Sequence, residues 1–230
     1  MAWRCSGLSN EELVNNMRRR IHLPGGRDYL SEPVEKAMKA VDHANYVRGK
    51  RDVNAYDDSP QSETIGYVGP TISAPHNWHA YALEHLLEFL KPGARVLDVG
   101  SGSGYLVAVM HHLVGDTGKV VGIELPKLVT VTCSEGNLRQ DGLGRALDSG
   151  AIEMVAGSLR EGYAPGGPYE VIHVGAAALN VPQALLDQLA SPGRMFTPAG
   201  SPYMQAIEQI DKDGQGRVTR KKVMDVHYVP

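Results

Sequence analysis

A glycine-rich turn between a short apolar strand and a helix constrains this sequence more than any other feature. The apolar run at residues 95–99 lies between Gly93 and Gly100, as is typical of a buried parallel strand. Glycines then alternate up to Gly104, and a run that can continue as a helix begins at Tyr105. Glycine lets the backbone approach a ligand closely, and a helix N-terminus offers free N–H groups. The stretch therefore predicts a ligand site.

The spacing of these glycines indicates which ligand to expect. A dinucleotide site has Gly-x-Gly-x-x-Gly, whereas here Tyr105 takes the position of the third glycine, and no Gly-Lys-Ser/Thr of a Walker loop follows. Asp98 precedes the turn, and Glu124 ends the next apolar run. A carboxylate at that second position suits the two hydroxyls of a ribose. Adenosine without a pyrophosphate points to S-adenosyl-L-methionine as the cofactor.

Strands and helices alternate along the chain after this point. Apolar patterns predict strands at residues 95–99, 119–124, 152–156, 169–174 and 194–198, and helices at about 103–114, 126–140 and 181–190. This alternation predicts a doubly wound, mostly parallel α/β sheet of the Rossmann-like type, with ligands at the carboxyl ends of its strands. A turn at Ser191–Gly193 is expected between the last helix and the strand at 194–198. Residues 205–210 and 218–229 are expected to add an antiparallel pair around residues 214–216.

The first 75 residues have a different character. Ser9 and Glu12 are spaced as a capping box for a helix to about Arg20, and a second helix fits residues 33–41. Residues 42–70 lack periodicity and predict a long functional loop. We expect one domain over residues 1–230, in which residues 1–75 provide helices and a substrate and cofactor loop and residues 76–230 form the cofactor-binding core.

Composition excludes several classes of protein. The chain has 230 residues and a net charge of −3, so a broad nucleic-acid-binding surface is not expected. Two cysteines do not make a disulfide framework, and no apolar run is long enough for a signal peptide or a membrane span. We expect a cytoplasmic protein with no metal. Residues 211–216 begin like a calcium loop, but Lys222 stands where a glutamate is needed, which favours a hairpin turn.

Several stretches resemble the protein-L-isoaspartate (D-aspartate) O-methyltransferase family, and together they cover nearly the whole chain. They lie at residues 58–62, 71–76, 79–84, 97–104, 172–178 and 181–185. The glycine turn is shared by many methyltransferases. The Thr-Ile-Ser-Ala-Pro-His stretch at 71–76 and the Ile-His-Val-Gly-Ala-Ala-Ala stretch at 172–178 are specific to this family.

The resemblance implies a repair enzyme that acts on damaged proteins and peptides. We expect a monomer, because the substrate is itself a protein and the site must stay open. Such an enzyme moves a methyl group from S-adenosyl-L-methionine to the free α-carboxyl of an L-isoaspartyl residue, and D-aspartyl residues are expected to be accepted too. The products are S-adenosyl-L-homocysteine and a methyl ester, which passes through a succinimide back to aspartate.

The resemblance also assigns site residues by position. It implies that Ser73 is the active-site serine, that Glu124 binds the ribose, and that Ser59, Val174 and Gly175 lie along the substrate peptide. The cofactor contacts it implies are Pro70, Thr71, Ile72, Ser73, His79, Asp98, Gly100, Ser101, Gly102, Ser103, Glu124, Leu125, Ser158 and Leu159.

The sequence departs from the family pattern at two places near these residues. Members usually have His-Met-His after the proline, but here His76 and His79 are separated by two residues, not one. Ser158 follows Gly157 where an aspartate is usual, so a charge-assisted bond to the adenine, worth about 1 kcal/mol, is lost. Three alternatives stay open: a methyltransferase for another acceptor, a cofactor-binding module without activity, and a nicotinamide dehydrogenase.

Overall fold

The structure is a computed structural model that describes residues 5–20, 30–47, 55–59, 61–64, 70–73, 76–125, 130–201 and 203–226. Its helices are α1 (Asn10–Arg20), α2 (Glu32–Ala40), α3 (His76–Leu86), α4 (Tyr105–Val114), α5 (Thr130–Gln140), α6 (Gly144–Ser149) and α7 (Gln183–Gln188). Its strands are β1 (Gln61–Thr64), β2 (Pro70–Ser73), β3 (Arg95–Val99), β4 (Lys119–Glu124), β5 (Ile152–Ala156), β6 (Tyr169–Val174), β7 (Leu189–Ser201), β8 (Met204–Lys212) and β9 (Val218–Val226).

A twisted, mostly parallel sheet organises the fold. Its strand order is β5-β4-β3-β6-β7-β8-β9, and the pairs from β5 to β7 are parallel while β8 and β9 are antiparallel. The chain moves outward from β3 through β4 to β5, then crosses to the other side of β3 to form β6. The strand order therefore reverses between β3 and β6, and a doubly wound sheet binds its ligands at the carboxyl ends beside such a switch point.

Apolar side chains on both faces of the sheet form the core. Val96 of β3 packs in one cluster with α1 to α4, whereas its neighbour Leu97 packs in a second cluster with Leu185 and Leu186 of α7. Successive side chains of a strand point to opposite faces, so a strand that is covered on both faces needs a continuous apolar run. The apolar pattern at residues 95–99 arises because both faces of β3 are covered.

The parallel core agrees closely with the sequence predictions. The predicted strands at 95–99, 119–124, 152–156 and 169–174 are confirmed with the same bounds. The predicted antiparallel pair is also confirmed, as β8 and β9. Of the predicted helix at 126–140, residues 130–140 are helical, and residues 126–129 lie outside the described residues.

The region around Ser191–Gly193 differs from the prediction. The helix predicted for 181–190 spans only Gln183–Gln188, and β7 already begins at Leu189. Tyr169 pairs with Leu189 but Val171 pairs with Arg194, so a register shift accommodates the residues between them within the strand. The predicted turn is therefore an irregularity inside β7, held by its pairing with β6.

The N-terminal region contains structure that the sequence did not predict. Strands β1 and β2 form an antiparallel hairpin, in which Gln61 pairs with Ser73, inside and just after the stretch interpreted as a loop. Helix α1 begins as predicted, and the Glu12 N–H donates to Ser9 Oγ at 3.2 Å. The second half of the capping box is shifted, because the Glu12 carboxylate accepts from Leu8 N at 2.8 Å.

Candidate active site

The glycine turn lies at the carboxyl end of β3, at the switch point of the sheet. Gly100, Gly102 and Gly104 have φ values of 81°, 52° and 88°, which glycine adopts without strain. Gly104 is the N-cap residue of α4, and a Cβ atom there would lie 3.3 Å from Ser134 Cβ. The turn therefore brings bare backbone and a helix N-terminus to the edge where the fold binds ligands.

Glu124 ends β4 next to this turn and is 94% buried, with 6% of its surface exposed. Its carboxylate accepts from Gly102 N at 3.1 Å and from Leu125 N at 2.9 Å. An ionised carboxylate offers about four acceptor positions. Glu124 therefore closes the glycine turn from the neighbouring strand and can still accept hydrogen bonds from a diol.

Two serines of the turn are buried beside this carboxylate. Ser101 Oγ makes no hydrogen bond to any other residue that the structure describes. The Ser103 carbonyl accepts from Asn137 Nδ2 of α5 at 3.1 Å, which fixes the turn from its outer side. A buried hydroxyl without a protein partner is costly, so the Ser101 hydroxyl indicates a position for a polar ligand group.

Asp98 is held by a residue that sequence reasoning missed. Asp98 and His173 are cross-strand partners in β3 and β6, and His173 Nδ1 lies 2.7 Å from Asp98 Oδ1. Both side chains are buried, so the pair joins the two strands that flank the switch point. His173 stands inside the family-specific stretch at 172–178, but its pattern does not reveal which residue it faces.

His79 of α3 lies in the interior behind the glycine turn. Its ring centroid is 5.4 Å from that of Tyr105, the first residue of α4. Burial, together with the nearby histidines His173 and His43, lowers the pKa of His79 to about 3. The imidazole is therefore neutral at pH 7. The other candidate in this stretch is His76, whose side chain lies outside the described residues.

A 3₁₀ turn at His43–Asn45 closes the other side of Tyr105. The His43 ring meets the Tyr105 ring edge-on at 4.9 Å, and burial lowers the pKa of His43 to about 4. Asp141, just after α5, accepts from Asn45 Nδ2 at 2.6 Å and from the Tyr46 hydroxyl at 2.9 Å. These bonds join the N-terminal region to the parallel core behind the site.

Leu125, Ser158 and Leu159 form the rim beyond Glu124. Gly157 N donates to Glu124 O at 2.8 Å, which sets Ser158 beside the end of β4. Leu125 is 44% exposed, whereas Leu159 packs against the core. Ser158 is thus a neutral, partly exposed residue at this rim.

The end of β6 lies on the other side of the glycine turn. Gly175 N donates to Val99 O at 2.8 Å, which holds the exposed backbone of Gly175 next to the glycine turn, while Val174 is buried. Ser59 is exposed. The side chains of Pro70, Thr71, Ile72 and Ser73 lie outside the described residues, and only their backbone, strand β2, is placed.

Residues 211–216, which begin like a calcium loop, form a hairpin turn in the structure. Among the residues that the structure describes, no group of three or more His, Cys, Asp or Glu side chains could hold a metal ion. Asp213 instead caps the β8–β9 hairpin, since its carboxylate accepts from Gln215 N at 2.8 Å and from Arg217 N at 3.0 Å. The hairpin-turn interpretation of residues 211–216 is confirmed.

Comparison with known proteins adds an independent line of evidence. Residues 9–230 match the sequence model of the family described as protein-L-isoaspartate(D-aspartate) O-methyltransferase. A Caenorhabditis elegans protein named protein-L-isoaspartate O-methyltransferase is 44% identical over 232 residues, covering 100% of this chain and 95% of its own. Protein-L-isoaspartate O-methyltransferase 1 of Arabidopsis thaliana is 44% identical over 87% of this chain and 84% of its own.

A solved structure shares the fold along nearly the whole chain. It is a putative protein-L-isoaspartate O-methyltransferase from Plasmodium falciparum, crystallised in complex with S-adenosyl-L-homocysteine. The TM-score is 0.81 at 27% identity, and the similarity covers 96% of this chain and 97% of that one.

Proposed function

The chain belongs to the protein-L-isoaspartate(D-aspartate) O-methyltransferase family, and we propose that it methylates the free α-carboxyl of L-isoaspartyl residues in damaged proteins and peptides. The methyl donor is S-adenosyl-L-methionine, and D-aspartyl residues are included as acceptors in the proposal. One observation carries it: the buried Glu124 carboxylate is bonded to the glycine turn at the switch point, in a chain that matches this family over residues 9–230.

The acceptor chemistry requires no general base. A free α-carboxyl has a pKa of about 3.3–3.7, so roughly 99.9% of it is ionised at pH 7 and already nucleophilic. The site must therefore orient one carboxylate oxygen toward the methyl carbon and exclude water. The neutral His79 imidazole is consistent with this, because its lowered pKa of about 3 leaves it uncharged in the working range.

The cofactor, when bound, supplies a methyl group on a positively charged sulfur and leaves as S-adenosyl-L-homocysteine. Its ribose hydroxyls fit the acceptor positions that remain on Glu124, and a polar group fits the buried Ser101 hydroxyl. Ser158 is proposed to lie near the adenine. The full set of proposed cofactor contacts is Pro70, Thr71, Ile72, Ser73, His79, Asp98, Gly100, Ser101, Gly102, Ser103, Glu124, Leu125, Ser158 and Leu159.

The acceptor peptide is proposed to enter between β2 and the end of β6. Ser73 orients the acceptor carboxylate by a hydrogen bond and does not act as a covalent nucleophile. Ser59, Val174 and Gly175 lie along the peptide, and the exposed Gly175 backbone offers it polar groups. We propose one domain, in which residues 1–75 provide helices and a substrate and cofactor loop and residues 76–230 form the cofactor-binding core.

The repair outcome follows from the chemistry of the product. The methyl ester is attacked by the neighbouring backbone nitrogen, methanol leaves, and a succinimide forms without help from the protein. Water then opens the succinimide to aspartate or to isoaspartate, and the latter can be methylated again. Repeated cycles convert isoaspartate to aspartate.

The protein is further proposed to work as a cytoplasmic monomer without nucleic acid or membrane. Within the described ranges, no helix has the length and apolar character needed to cross a bilayer. A monomer leaves the site open to a substrate that is itself a protein. Light scattering after size-exclusion chromatography tests this state, and a mass of about twice 24.9 kDa would contradict it.

The decisive experiment measures methyl transfer from labelled S-adenosyl-L-methionine to two peptides that differ only in isoaspartate or aspartate. We expect label on the isoaspartyl peptide alone, followed by slow loss as the ester reacts. Absence of label on both peptides, with S-adenosyl-L-homocysteine still bound in calorimetry, would show that the acceptor is different or that the chain only binds the cofactor.

The role of Ser73 is tested separately with Ser73→Ala. We expect turnover of the isoaspartyl peptide to fall by about tenfold or more, as for loss of one orienting hydrogen bond. The dissociation constant of S-adenosyl-L-homocysteine should stay within about twofold of the wild-type value. A large loss of cofactor affinity would contradict the proposed role.

A further inference from the structure

Asp58 joins three segments that are far apart in the sequence. Its Oδ1 accepts from Asn77 N at 3.1 Å and its Oδ2 from Cys5 N at 3.3 Å, while its own N–H donates to Ser6 Oγ at 3.0 Å. The side chain is only 8% exposed. A carboxylate tolerates burial when hydrogen-bond donors compensate for the lost water, and both of its oxygens have one here.

The N-terminal segment, residues 5–7, runs alongside residues 56–58. Gly7 N donates to Tyr56 O at 3.1 Å, and the Ser6 carbonyl accepts from Asn16 Nδ2 of α1 at 2.9 Å. A Cβ atom on Gly7 would lie 2.5 Å from Leu13 N, so glycine is required for this close approach to α1. The segment is therefore fixed to α1 on one side and to Asp58 on the other.

The bond between Asp58 and Asn77 joins the two chain segments at the base of the β1–β2 hairpin. Asp58 precedes Gln61 of β1 by three residues, and Asn77 follows Ser73 of β2 by four. An isolated two-stranded hairpin is marginally stable in water, and a tie across its base removes much of the freedom of its ends. Asn77 also lies in the first turn of the eleven-residue α3, whose N-terminus favours a negative charge.

We propose that Asp58 is a positioning residue that fixes the acceptor-binding elements against the cofactor-binding core. Through its carboxylate, the base of the hairpin that ends at Ser73 and the adjacent Ser59 are held to the helix that carries His79. The N-terminal segment, residues 5–7, is held by the same carboxylate. We call these bonds through Asp58 the clasp. The inference rests on the proposed function for its kinetic consequence, whereas its structural consequence does not depend on any activity.

The test combines kinetics with hydrogen exchange on Asp58→Asn and Asp58→Ala. For Asp58→Ala we expect kcat/KM for an isoaspartyl peptide to fall by about tenfold or more, the scale of a lost capping bond together with misplacement of the acceptor. Asp58→Asn keeps one acceptor oxygen and should lie between this variant and wild type. The dissociation constant of S-adenosyl-L-homocysteine should rise by less than kcat/KM falls, because β2 supplies only part of the proposed cofactor contacts, whereas Glu124 and the glycine turn are untouched.

Hydrogen exchange measures the clasp directly. In Asp58→Ala, amide exchange at residues 61–64, 71–73 and 77 should accelerate by about tenfold, while exchange in Arg95–Val99 stays as in wild type. Equal protection of the hairpin in both proteins would overturn the inference even if the chain methylates isoaspartate. Accelerated exchange in β3 as well would show global destabilisation and would also overturn it.

Two further variants separate the clasp from other effects. Glu161→Gln removes an exposed negative charge elsewhere on the surface and should leave hairpin exchange unchanged. Ser6→Ala removes the exposed hydroxyl that accepts from Asp58 N, so it should fold normally and produce the same exchange pattern with a smaller amplitude. If wild type fails to methylate the isoaspartyl peptide but these exchange patterns hold, the proposed function is wrong and the clasp stands.

Discussion

The two sides of the candidate active site are held in place by different means. On the cofactor side, backbone bonds between neighbouring strands fix the turn: Gly100 N and Ser101 N donate to Ile123 O at 2.9 and 3.2 Å, and Gly175 N donates to Val99 O at 2.8 Å. On the acceptor side, the described bonds that hold Ser59 and the hairpin involve one buried side chain, Asp58, and an N-terminal segment more than 50 residues away.

The cofactor side therefore takes its geometry from the sheet, whereas the described bonds of the acceptor side are individual long-range contacts. A sheet with both faces covered tolerates the loss of one surface contact. A hairpin whose base is tied through one carboxylate should tolerate the loss of that contact less well. The cofactor side should therefore respond mainly to changes in its own binding groups, and the acceptor side to changes far from the reacting atoms.

The largest effect is expected where the two sides meet, at the Asp98–His173 pair. His173→Ala leaves a buried carboxylate without its partner and should lower the free energy of unfolding by about 3–5 kcal/mol. Urea denaturation measures this loss. The double change Asp98→Asn with His173→Asn restores an amide pair and should recover part of the stability.

The exposed His112 provides the control for this pair, since His112→Ala should change stability by less than about 0.5 kcal/mol. If the effects of Asp98→Asn and His173→Asn simply add in the double variant, the two strands are not coupled through these side chains. In that case the cofactor and acceptor sides would be more independent than their geometry suggests.

A second change should affect the cofactor side alone. Glu124→Ala removes the acceptor of the Gly102 and Leu125 N–H groups, and S-adenosyl-L-homocysteine should bind about 30- to 100-fold more weakly, equivalent to about 2–3 kcal/mol. Isothermal calorimetry checks the affinity. Exchange in the β1–β2 hairpin should stay unchanged, and the exposed Glu161→Gln serves as the charge control.

Two histidines with lowered pKa values, His43 and His79, should make the stability of the protein sensitive to acid. The pKa values of His43 and His79 are lowered to about 4 and about 3, against 6.5 for an exposed histidine. Unfolded chains therefore take up protons first as the pH falls below about 6.5, and stability is lost from there toward pH 4. Each histidine contributes a slope of up to about 1.4 kcal/mol per pH unit.

Urea titrations at several pH values test this loss of stability in acid. His43→Gln and His79→Gln should each flatten the dependence of unfolding free energy on pH between about 6.5 and 4, whatever their effect on stability at neutral pH. A slope identical to that of wild type in both variants would mean that these histidines do not control acid sensitivity.

The smallest expected effect restores the usual family residue on the cofactor rim. Ser158→Asp supplies an acceptor charge beside the proposed adenine position, and affinity for S-adenosyl-L-homocysteine should rise by about fivefold, equivalent to about 1 kcal/mol. Adenosine binding should rise in parallel, whereas the KM for the isoaspartyl peptide should not change. Unaltered or weaker binding would place the adenine elsewhere.

Local pattern was sufficient for the cofactor side because the determinants are close together in the sequence. The apolar run of β3, the alternating glycines and Glu124 predicted a strand, a turn and a ribose-binding acid, and the strand bounds were confirmed. The predicted turn at Ser191–Gly193 was wrong, since pairing with β6 outweighed the local preference of Pro192 and Gly193. His173 was missed because its partner is 75 residues away.

The sequence by itself determined the fold class, the site of the cofactor turn and, through family-specific stretches, the expected reaction. These depend on periodicity, on glycine conformation and on residue identity, which neighbouring positions carry. Only the tertiary structure decided that residues 61–64 pair with residues 70–73, that Asp58 bonds to Asn77 at the base of this pair of strands, and that Asp98 faces His173. The reason is physical: these contacts join residues from 6 to 75 positions apart, and their stability depends on pairing and burial that no local pattern records.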